Sequence, residues 1–160
     1  AAAGVAETPE LHRRLADRFH ALYETQTGLT TVYPGADQAL RDLKQAGHVL
    51  GLCTNKPEAA TRAVLAHFDL LDLFDALACG DGPRPRKPDP APLRHVADLL
   101  GAGPVLYVGD SEVDAQTAQA AAIPFALFTE GYRKAPVESL PHLAAFDRFA
   151  DLTGIVRDRL

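Results

Sequence analysis

The sequence predicts an α/β fold in which a parallel β-sheet carries helices on both of its faces. Short apolar segments alternate with longer segments of helical periodicity, and the links between them are short. This alternation is typical of parallel sheets, because a crossover between two parallel strands is usually a helix. The apolar segments contain no regularly alternating polar residues, as is typical of strands buried on both faces.

The first predicted element is a helix, because Thr8 suits its cap, Pro9 suits its first position and apolar residues then recur at helical spacing. A turn follows at Tyr33-Pro34-Gly35. The remaining elements are predicted in the order helix 36–46, strand 49–53, helix 57–67, strand 76–79, helix 91–100, strand 105–108, helix 112–122, strand 125–128 and helix 151–159. We therefore expect residues 33–160 to form the sheet domain and residues 1–32 to form a separate helical unit.

The composition is that of an ordinary globular protein, since the 160 residues are 47% hydrophobic and 23% charged, with a formal charge of −5. No helix face is basic enough for nucleic acid and no apolar run is long enough for a membrane span, so neither partner is expected. Cys53 and Cys79 lie far apart, without a metal-binding or redox spacing, and the six histidines are scattered. We interpret the histidines as structural or surface residues, and the thiols as buried groups in a reducing cytoplasm.

Polar residues cluster where three predicted strands end. Thr54-Asn55-Lys56 follows the first strand, and the run from Arg86 to Pro90 closes the loop after the second. The run from Gly109 to Asp114 follows the third strand and enters the next helix. Because ligands bind beyond the carboxyl ends of parallel strands, we expect these three clusters to meet at one edge of the sheet.

Together these side chains suit phosphoryl transfer. That chemistry requires a positioned phosphoryl group with neutralised oxygens, commonly with Mg²⁺ held by one or two carboxylates. Asp110 and Asp114 stand one helical turn apart on the same face and predict a Mg²⁺ site. The hydroxyl of Thr54 suits a hydrogen bond to phosphate, and the ammonium of Lys87 suits charge compensation.

Each of these residues also has an ordinary structural interpretation. Thr54 by itself suits the cap of the helix that follows it, and Lys87 suits a solvated lysine in a proline-rich loop. Asp110 suits a helix cap, and Asp114 suits the positive end of a helix dipole. Tyr132, which follows the fourth strand, is interpreted as a loop aromatic rather than as a pocket residue.

With these motifs the chain resembles the haloacid dehalogenase (HAD) superfamily and, within it, the phosphoglycolate phosphatase group. Three runs are similar to the second, third and fourth motifs of that superfamily, in the same order: Leu52-Cys53-Thr54-Asn55-Lys56-Pro57, Lys87-Pro88-Asp89-Pro90 and Val108-Gly109-Asp110-Ser111-Glu112-Val113-Asp114. The resemblance implies a HAD-like, Rossmann-type sheet from Tyr33 onward, and a remnant of the family's helical cap in residues 1–32.

The resemblance also implies a role for each site residue. Members of this family are Mg²⁺-dependent hydrolases that form an aspartyl-phosphate. Asp110 would bind the metal, and Asp114 would bind it through water or orient its ligands. Thr54 and Asn55 would contact the transferring phosphoryl group, and Lys87 would neutralise the nucleophile and the phosphate.

The family's first motif, an Asp-x-Asp-Gly-Thr run that supplies the nucleophile, is absent from this sequence. Before Tyr33 the only aspartate is Asp17, in the middle of the first predicted helix. In the family that motif ends a strand in the middle of the sheet, so its absence leaves apolar strand edges unpaired. We therefore expect a segment of roughly 50–70 residues that is not in this sequence to carry the nucleophile. The alternative is a 160-residue protein that folds without that strand.

The function favoured by the resemblance is a Mg²⁺-dependent phosphatase for a small phosphomonoester, with 2-phosphoglycolate as the first substrate. The run from Gly109 to Asp114 is unlike the metal-free dehalogenase branch. The run Thr54-Asn55-Lys56-Pro57, with the Gly131-Tyr132 pair, favours the phosphoglycolate group over sugar-phosphate mutases. One alternative is another HAD phosphatase, acting on a sugar phosphate or on pyrophosphate. Another is a nucleophile-free module that holds phosphate or Mg²⁺, or that has a structural role. The chain alone is predicted to be inactive, because it lacks the nucleophile.

Overall fold

The structure is a computed structural model that describes residues 30–101 and 103–159, together with residues 8, 10 and 11. The chain divides into two compact units, Ala1–Thr31 and Val32–Leu160. In the first unit Thr8 Oγ1 accepts a hydrogen bond of 3.1 Å from the backbone N–H of Leu11, as a helix cap does. Most of the helix predicted for this unit lies outside the described residues.

The second unit alternates helices and strands in the predicted order. Its elements are α1 Ala36–Gln45, β1 Gly51–Cys53, α2 Glu58–His67, β2 Ala76–Ala78, α3 Ala91–Leu100, β3 Tyr107–Gly109, α4 Glu112–Ala121, β4 Phe125–Phe128, β5 Ala144–Phe146 and α5 Leu152–Arg159. Single 3₁₀ turns lie at Leu71–Leu73, Val137–Ser139 and Phe149–Asp151. The pairings among these strands are parallel, so the predicted α/β class is confirmed. None of the described helices is both long and apolar enough to cross a membrane.

A glycine with positive φ lies near each end of α1. Gly35, directly before the helix, has a φ of 77°, a left-handed conformation that glycine adopts at little cost. Ala36, Ala39 and Leu43 recur at helical spacing and form the buried face of α1. The helix gives way to Gly47, whose φ of 90° is typical of a helix C-terminus.

Strand β4 is buried on both faces, and this explains its continuous apolar sequence. Phe125 and Leu127 pack with α4, whereas Ala126 and Phe128 pack with α1 and α5 on the other face. β4 is paired with β3 on one side and with β5 on the other. Helices therefore cover both faces of this part of the sheet, as the sequence predicts.

The strands form two separate sheets rather than the single sheet expected from the alternating pattern. β1 and β2 pair as one sheet, and β3, β4 and β5 pair as the other. Between β1 and β3 lies a largely apolar cleft of about 550 Å³, whose walls include both strands together with side chains of α1, α3 and α5. Among the described residues no strand fills this cleft, so the facing edges of β1 and β3 have no ladder partner.

The strands differ in detail from the sequence-based prediction, and β2 ends at Ala78 rather than at residue 79. β1 begins at Gly51 rather than at residue 49, because Val49 is 55% exposed and the N–H of Leu50 bonds to Asp75 Oδ2 at 2.8 Å. β3 begins at Tyr107 rather than at residue 105, because its pairing with β4 begins there, opposite Phe125. β5 was not predicted, since Ala144–Phe146 is too short to show a periodicity of its own.

Candidate active site

The structure brings the three predicted polar clusters together at the carboxyl ends of the strands. Asn55, after β1, uses both atoms of its side-chain amide on the main chain of Lys87. Its Nδ2 donates to the Lys87 carbonyl at 3.0 Å, and its Oδ1 accepts from the Lys87 N–H at 2.9 Å. Asn55 was predicted to contact the phosphoryl group. The structure turns its amide toward Lys87, where it fixes the backbone of a proline-rich loop.

Lys87 points into the protein and not into solvent. Its Nζ donates to Asp114 Oδ1 at 2.6 Å and to the hydroxyl of Tyr107 at 3.0 Å. The side chains of Lys87 and Asp114 are only 12% and 7% exposed. The alternative of a solvated surface lysine is therefore wrong, and Lys87 supplies a fixed positive charge at the site.

Asp114 accepts four hydrogen bonds, which fill the lone pairs of its carboxylate. Oδ1 accepts from Lys87 Nζ and, at 2.8 Å, from the Tyr107 hydroxyl. Oδ2 accepts from Ser111 Oγ at 2.6 Å and from the N–H of Asp110 at 3.2 Å. With these partners in place, Asp114 has no lone pair left for a direct bond to a metal.

The pKa values of Asp114 and Tyr107 follow from their burial and their contacts. Burial by itself raises the pKa of Asp114, but the Lys87 ammonium and the hydrogen bonds from Ser111 and Tyr107 outweigh burial, so the pKa lies below its usual value. Burial and the Asp114 carboxylate raise the pKa of Tyr107 far above its usual value. Asp114 is therefore ionised and Tyr107 is a neutral phenol at physiological pH.

The start of α4 is capped by Ser111 and not by either aspartate. Ser111 Oγ accepts from the N–H of Asp114 at 3.2 Å. The interpretation of Asp110 as the helix cap is therefore wrong. The carboxylate of Glu112, in the first turn, accepts from the N–H groups of Lys134 and Ala135 at 2.6 Å each and ties the loop after β4 to the helix.

Asp110 is held at the mouth of the cleft by the loop after β4 and by a tyrosine of the turn before α1. Its Oδ2 accepts from the Tyr33 hydroxyl at 2.9 Å and from the N–H of Tyr132 at 3.3 Å. Burial and Asp110 raise the pKa of Tyr33, which is a neutral donor. A β-carbon on Gly131 would collide with the Asp110 carboxylate, so the loop approaches Asp110 this closely only because residue 131 is glycine.

Thr54 does not cap α2, contrary to one of its two interpretations. Its N–H extends the β1–β2 ladder by bonding to the Ala78 carbonyl at 2.9 Å, and its Oγ1 accepts from the N–H of Lys56 at 3.1 Å. Asp81 supports the start of α2 instead, because its Oδ1 accepts from the N–H of Glu58 at 2.8 Å. The bond to Lys56 uses a lone pair of the Thr54 hydroxyl, so its proton can still be donated to a phosphate oxygen.

The two aspartates differ in their fitness for a metal. Among the described residues no donor reaches Asp110 Oδ1, whereas both oxygens of Asp114 are occupied. Mg²⁺ accepts one or two protein carboxylates and completes its octahedron with water and substrate phosphate, and Asp110 fits that requirement. Within the described part of the chain, no group of three or more acidic, histidine or cysteine side chains is arranged so that it could hold a metal ion.

Four residues that hold the site together were given no role at the site by the sequence-based prediction: Tyr33, Tyr107, Ser111 and Gly131. Ser111 carries a local signal that identifies it, because a serine three residues before an acidic residue at a helix start is typical of a cap. The tyrosines carry no such signal. Tyr33 meets a partner 77 positions away, and Tyr107 meets Lys87 20 positions away.

Comparisons with known proteins identify the family of this chain. A family model for haloacid dehalogenase-like hydrolases matches residues 3–122. A phosphoglycolate phosphatase of Cereibacter sphaeroides is 55% identical over 157 residues, which are 96% of this chain and 72% of that protein. The same enzyme from a second strain of that species is 54% identical over 154 residues, 94% of this chain and 71% of that protein. The crystal structure of a predicted phosphoglycolate phosphatase from Haemophilus somnus superposes with a TM-score of 0.86 at 28% identity, covering 94% of this chain and 68% of that one.

The chain therefore belongs to the haloacid dehalogenase-like hydrolase family, and the resemblance read from its three motifs is confirmed. Within that family it is a phosphoric monoester hydrolase, similar to the phosphoglycolate phosphatases of Cereibacter sphaeroides.

Proposed function

We propose that this chain is part of a Mg²⁺-dependent phosphatase that hydrolyses a small phosphomonoester, with 2-phosphoglycolate as its first candidate substrate. Catalysis proceeds through an aspartyl-phosphate whose nucleophilic aspartate lies outside these 160 residues. One observation carries the proposal: a nearly buried lysine and two aspartates line the same cleft between the edges of β1 and β3. The similarity to phosphoglycolate phosphatases supports the choice of substrate.

The cleft supports the position proposed for the nucleophile. The two sheets leave β1 and β3 without ladder partners on the edges that face each other among the described residues. One parallel strand placed between them would pair with both edges and bury the apolar walls. Its carboxyl end would then stand beside Lys87, Asp110 and Asp114, since Lys87, Asp110 and Asp114 line the same cleft. An aspartate at that end meets the phosphoryl group and the lysine together.

Each of the described side chains then has its own role in the reaction. Lys87 neutralises negative charge on the nucleophile and the phosphoryl oxygens, while Asp114 and Asn55 hold Lys87 in place. Thr54 donates its hydroxyl proton to a phosphoryl oxygen. Asp110 would hold Mg²⁺ through its open oxygen. The metal, when bound, supplies positive charge against the phosphoryl oxygens.

The same reasoning extends to the organisation of the protein. We infer that residues 33–160 are the HAD-like core without its first strand, and that residues 1–32 are the remnant of the helical cap. A division of the chain between Thr31 and Val32 supports this inference. A reducing, cytoplasmic setting is also part of the proposal, and it is supported by Cys53 and Cys79, which are both free thiols.

The decisive experiment is a hydrolysis assay on the complete gene product and, in parallel, on residues 1–160 alone. The substrates are 2-phosphoglycolate, a hexose phosphate and pyrophosphate, each with Mg²⁺ and with EDTA. We expect the complete protein to prefer 2-phosphoglycolate and to lose activity in EDTA, and residues 1–160 to be inactive. Turnover by residues 1–160 alone would exclude an external nucleophile.

Asp110→Asn tests the metal ligand. We expect kcat to fall by about 10²-fold or more, because the substitution removes a preorganised charge from the site. Asp98→Asn is the matched control, since Asp98 is exposed on α3. Full activity in the Asp110 variant contradicts the assignment. If the complete protein is stabilised by Mg²⁺ and phosphate but hydrolyses none of the three substrates, it is a binding module.

A further inference from the structure

We infer that Tyr107 is a positioning residue that fixes the Lys87 ammonium for phosphoryl transfer. This role rests on the proposed function, because it assigns Tyr107 to the same reaction through Lys87. Tyr107 begins β3, three positions before Asp110, and it belongs to none of the motif runs that resemble the family. Its hydroxyl contacts both the Lys87 ammonium and the Asp114 carboxylate.

Three hydrogen bonds close a ring around the ammonium. Lys87 Nζ donates to Asp114 Oδ1 at 2.6 Å and to Tyr107 Oη at 3.0 Å, and Tyr107 Oη donates to the same Asp114 oxygen at 2.8 Å. The phenol thus acts as acceptor toward the lysine and as donor toward the aspartate. An ammonium has three protons, so two are engaged here and the third can be donated to a phosphoryl oxygen or the nucleophile.

The support for this hydroxyl is rigid. Tyr107 pairs with Phe125 across the β3–β4 ladder, and the two rings stand 5.8 Å apart between centroids. The ring also packs against buried side chains of two core clusters. Lys87 Nζ lies 5.8 Å from the centre of the Tyr107 ring. A side chain on a packed strand therefore holds one that comes from a loop.

A lysine needs such a support more than most residues do. Its stem is flexible, and a displacement of about 1 Å at a reacting group costs on the order of 10²-fold in rate. Asn55 holds only the main chain of Lys87, which the four-carbon stem separates from the charge. With Asp114 as its only partner, the ammonium would be free to rotate about a single hydrogen bond. Tyr107 supplies the second fixed point, which sets the direction of the remaining proton.

Tyr107→Phe removes the hydroxyl and keeps the ring. In the complete enzyme we expect kcat to fall by about 10- to 100-fold, while KM for 2-phosphoglycolate changes by less than about threefold. Thr117→Val is the matched control, because it also deletes a buried hydroxyl, one that bonds to the Val113 carbonyl at 2.6 Å. It should retain the kcat of the unsubstituted enzyme. A purely structural role for Tyr107 predicts equal effects of the two substitutions.

A double-mutant cycle tests whether Tyr107 acts through Lys87. In a Lys87→Met background the further change Tyr107→Phe should alter the residual kcat by less than about twofold, because its target is gone. A second readout needs no activity: ¹⁵N–¹H spectra of the lysine ammonium groups, of which the chain has four. The Lys87 signal, identified by its loss in Lys87→Met, should be visible because the side chain is 12% exposed. It should broaden in Tyr107→Phe.

The outcomes separate this inference from the proposed function. Loss of kcat in Tyr107→Phe, no further loss in the Lys87→Met background and a broadened Lys87 signal support the positioning role. An unchanged kcat together with an unchanged Lys87 signal overturns it. If the unsubstituted enzyme hydrolyses no phosphomonoester but the signal still broadens, the phosphatase proposal fails and the fixation of Lys87 by Tyr107 stands.

Discussion

Lys87→Met removes the positive charge that compensates the most deeply buried carboxylate of the site. Removal of one partner of a buried ion pair costs roughly 3–5 kcal/mol, because the other charge remains uncompensated. Asp114 retains hydrogen bonds from Tyr107, Ser111 and the N–H of Asp110. Methionine also preserves much of the apolar stem. We therefore expect the lower end, a loss of about 3 kcal/mol in the free energy of unfolding at pH 7.

The pH dependence of that loss has a defined sign. In the unsubstituted protein the pKa of Asp114 is below its usual value, so Asp114 contributes stability above pH ~3.9 that disappears as the pH falls through the folded-state pKa. Without Lys87, burial raises the pKa of Asp114, and the carboxyl takes up a proton at a higher pH. Once it is protonated, Asp114 no longer carries an uncompensated negative charge. The stability difference between the two proteins should therefore be largest near pH 7 and smaller near pH 4.5.

Urea unfolding followed by far-UV circular dichroism measures this effect, and the absence of tryptophan makes fluorescence a poor probe. The matched control is Lys44→Met, whose ammonium pairs with Asp75 at 2.8 Å while the two side chains are 27% and 40% exposed. An exposed pair of this kind contributes about 0–1 kcal/mol. Equal losses for the two lysine variants, or a Lys87→Met deficit that does not shrink toward pH 4.5, would refute the reasoning.

Two further substitutions test other parts of the structure. Gly131→Ala places a methyl group against the Asp110 carboxylate, so we expect that carboxylate to rotate away and the apparent Mg²⁺ affinity to fall by about 10-fold or more, measured by titration of activity. Gly154→Ala, in open space on α5, is its control, and equal affinities in the two variants would contradict the close approach. Leu127→Ala empties a fully buried position in β4 and should cost about 3 kcal/mol in urea unfolding. Leu143→Ala, at a position that is 42% exposed, is the control and should cost below about 1 kcal/mol. A similar loss of stability in both variants would contradict the burial of β4 in the core.

The geometry assigns different work to two aspartates that look equivalent in the sequence. Asp114 is saturated by donors from a lysine, a tyrosine, a serine and the backbone, which suits a carboxylate that orients its neighbours. Asp110 lines the cleft, and no described residue donates a hydrogen bond to its Oδ1. A carboxylate oxygen without such a bond suits a metal ligand. The spacing of four residues predicted proximity correctly, but only the hydrogen bonds distinguish the two roles.

The order of elements was predictable because its signals are local. Continuous apolar residues over Phe125–Phe128 predicted a strand buried on both faces, and the structure has β4 at those residues. The turn at Tyr33-Pro34-Gly35 predicted the start of the first core helix, and Gly35 has the positive φ that such a turn permits. The strand Ala144–Phe146 escaped prediction, because three residues cannot display a period and only pairing with β4 makes them a strand.

By itself, then, the sequence determined the α/β class, the succession of strands and helices, and the presence of Thr54, Lys87, Asp110 and Asp114 at the carboxyl edge. These features follow from local apolar patterning and from the rule that parallel strands end on the same side. Only the tertiary structure decided which atoms meet there. In the tertiary structure the amide of Asn55 forms hydrogen bonds to the main chain of Lys87. The strands form two sheets that border a cleft. Contacts of this kind join residues tens of positions apart, and their free energy depends on burial and packing that no local pattern contains.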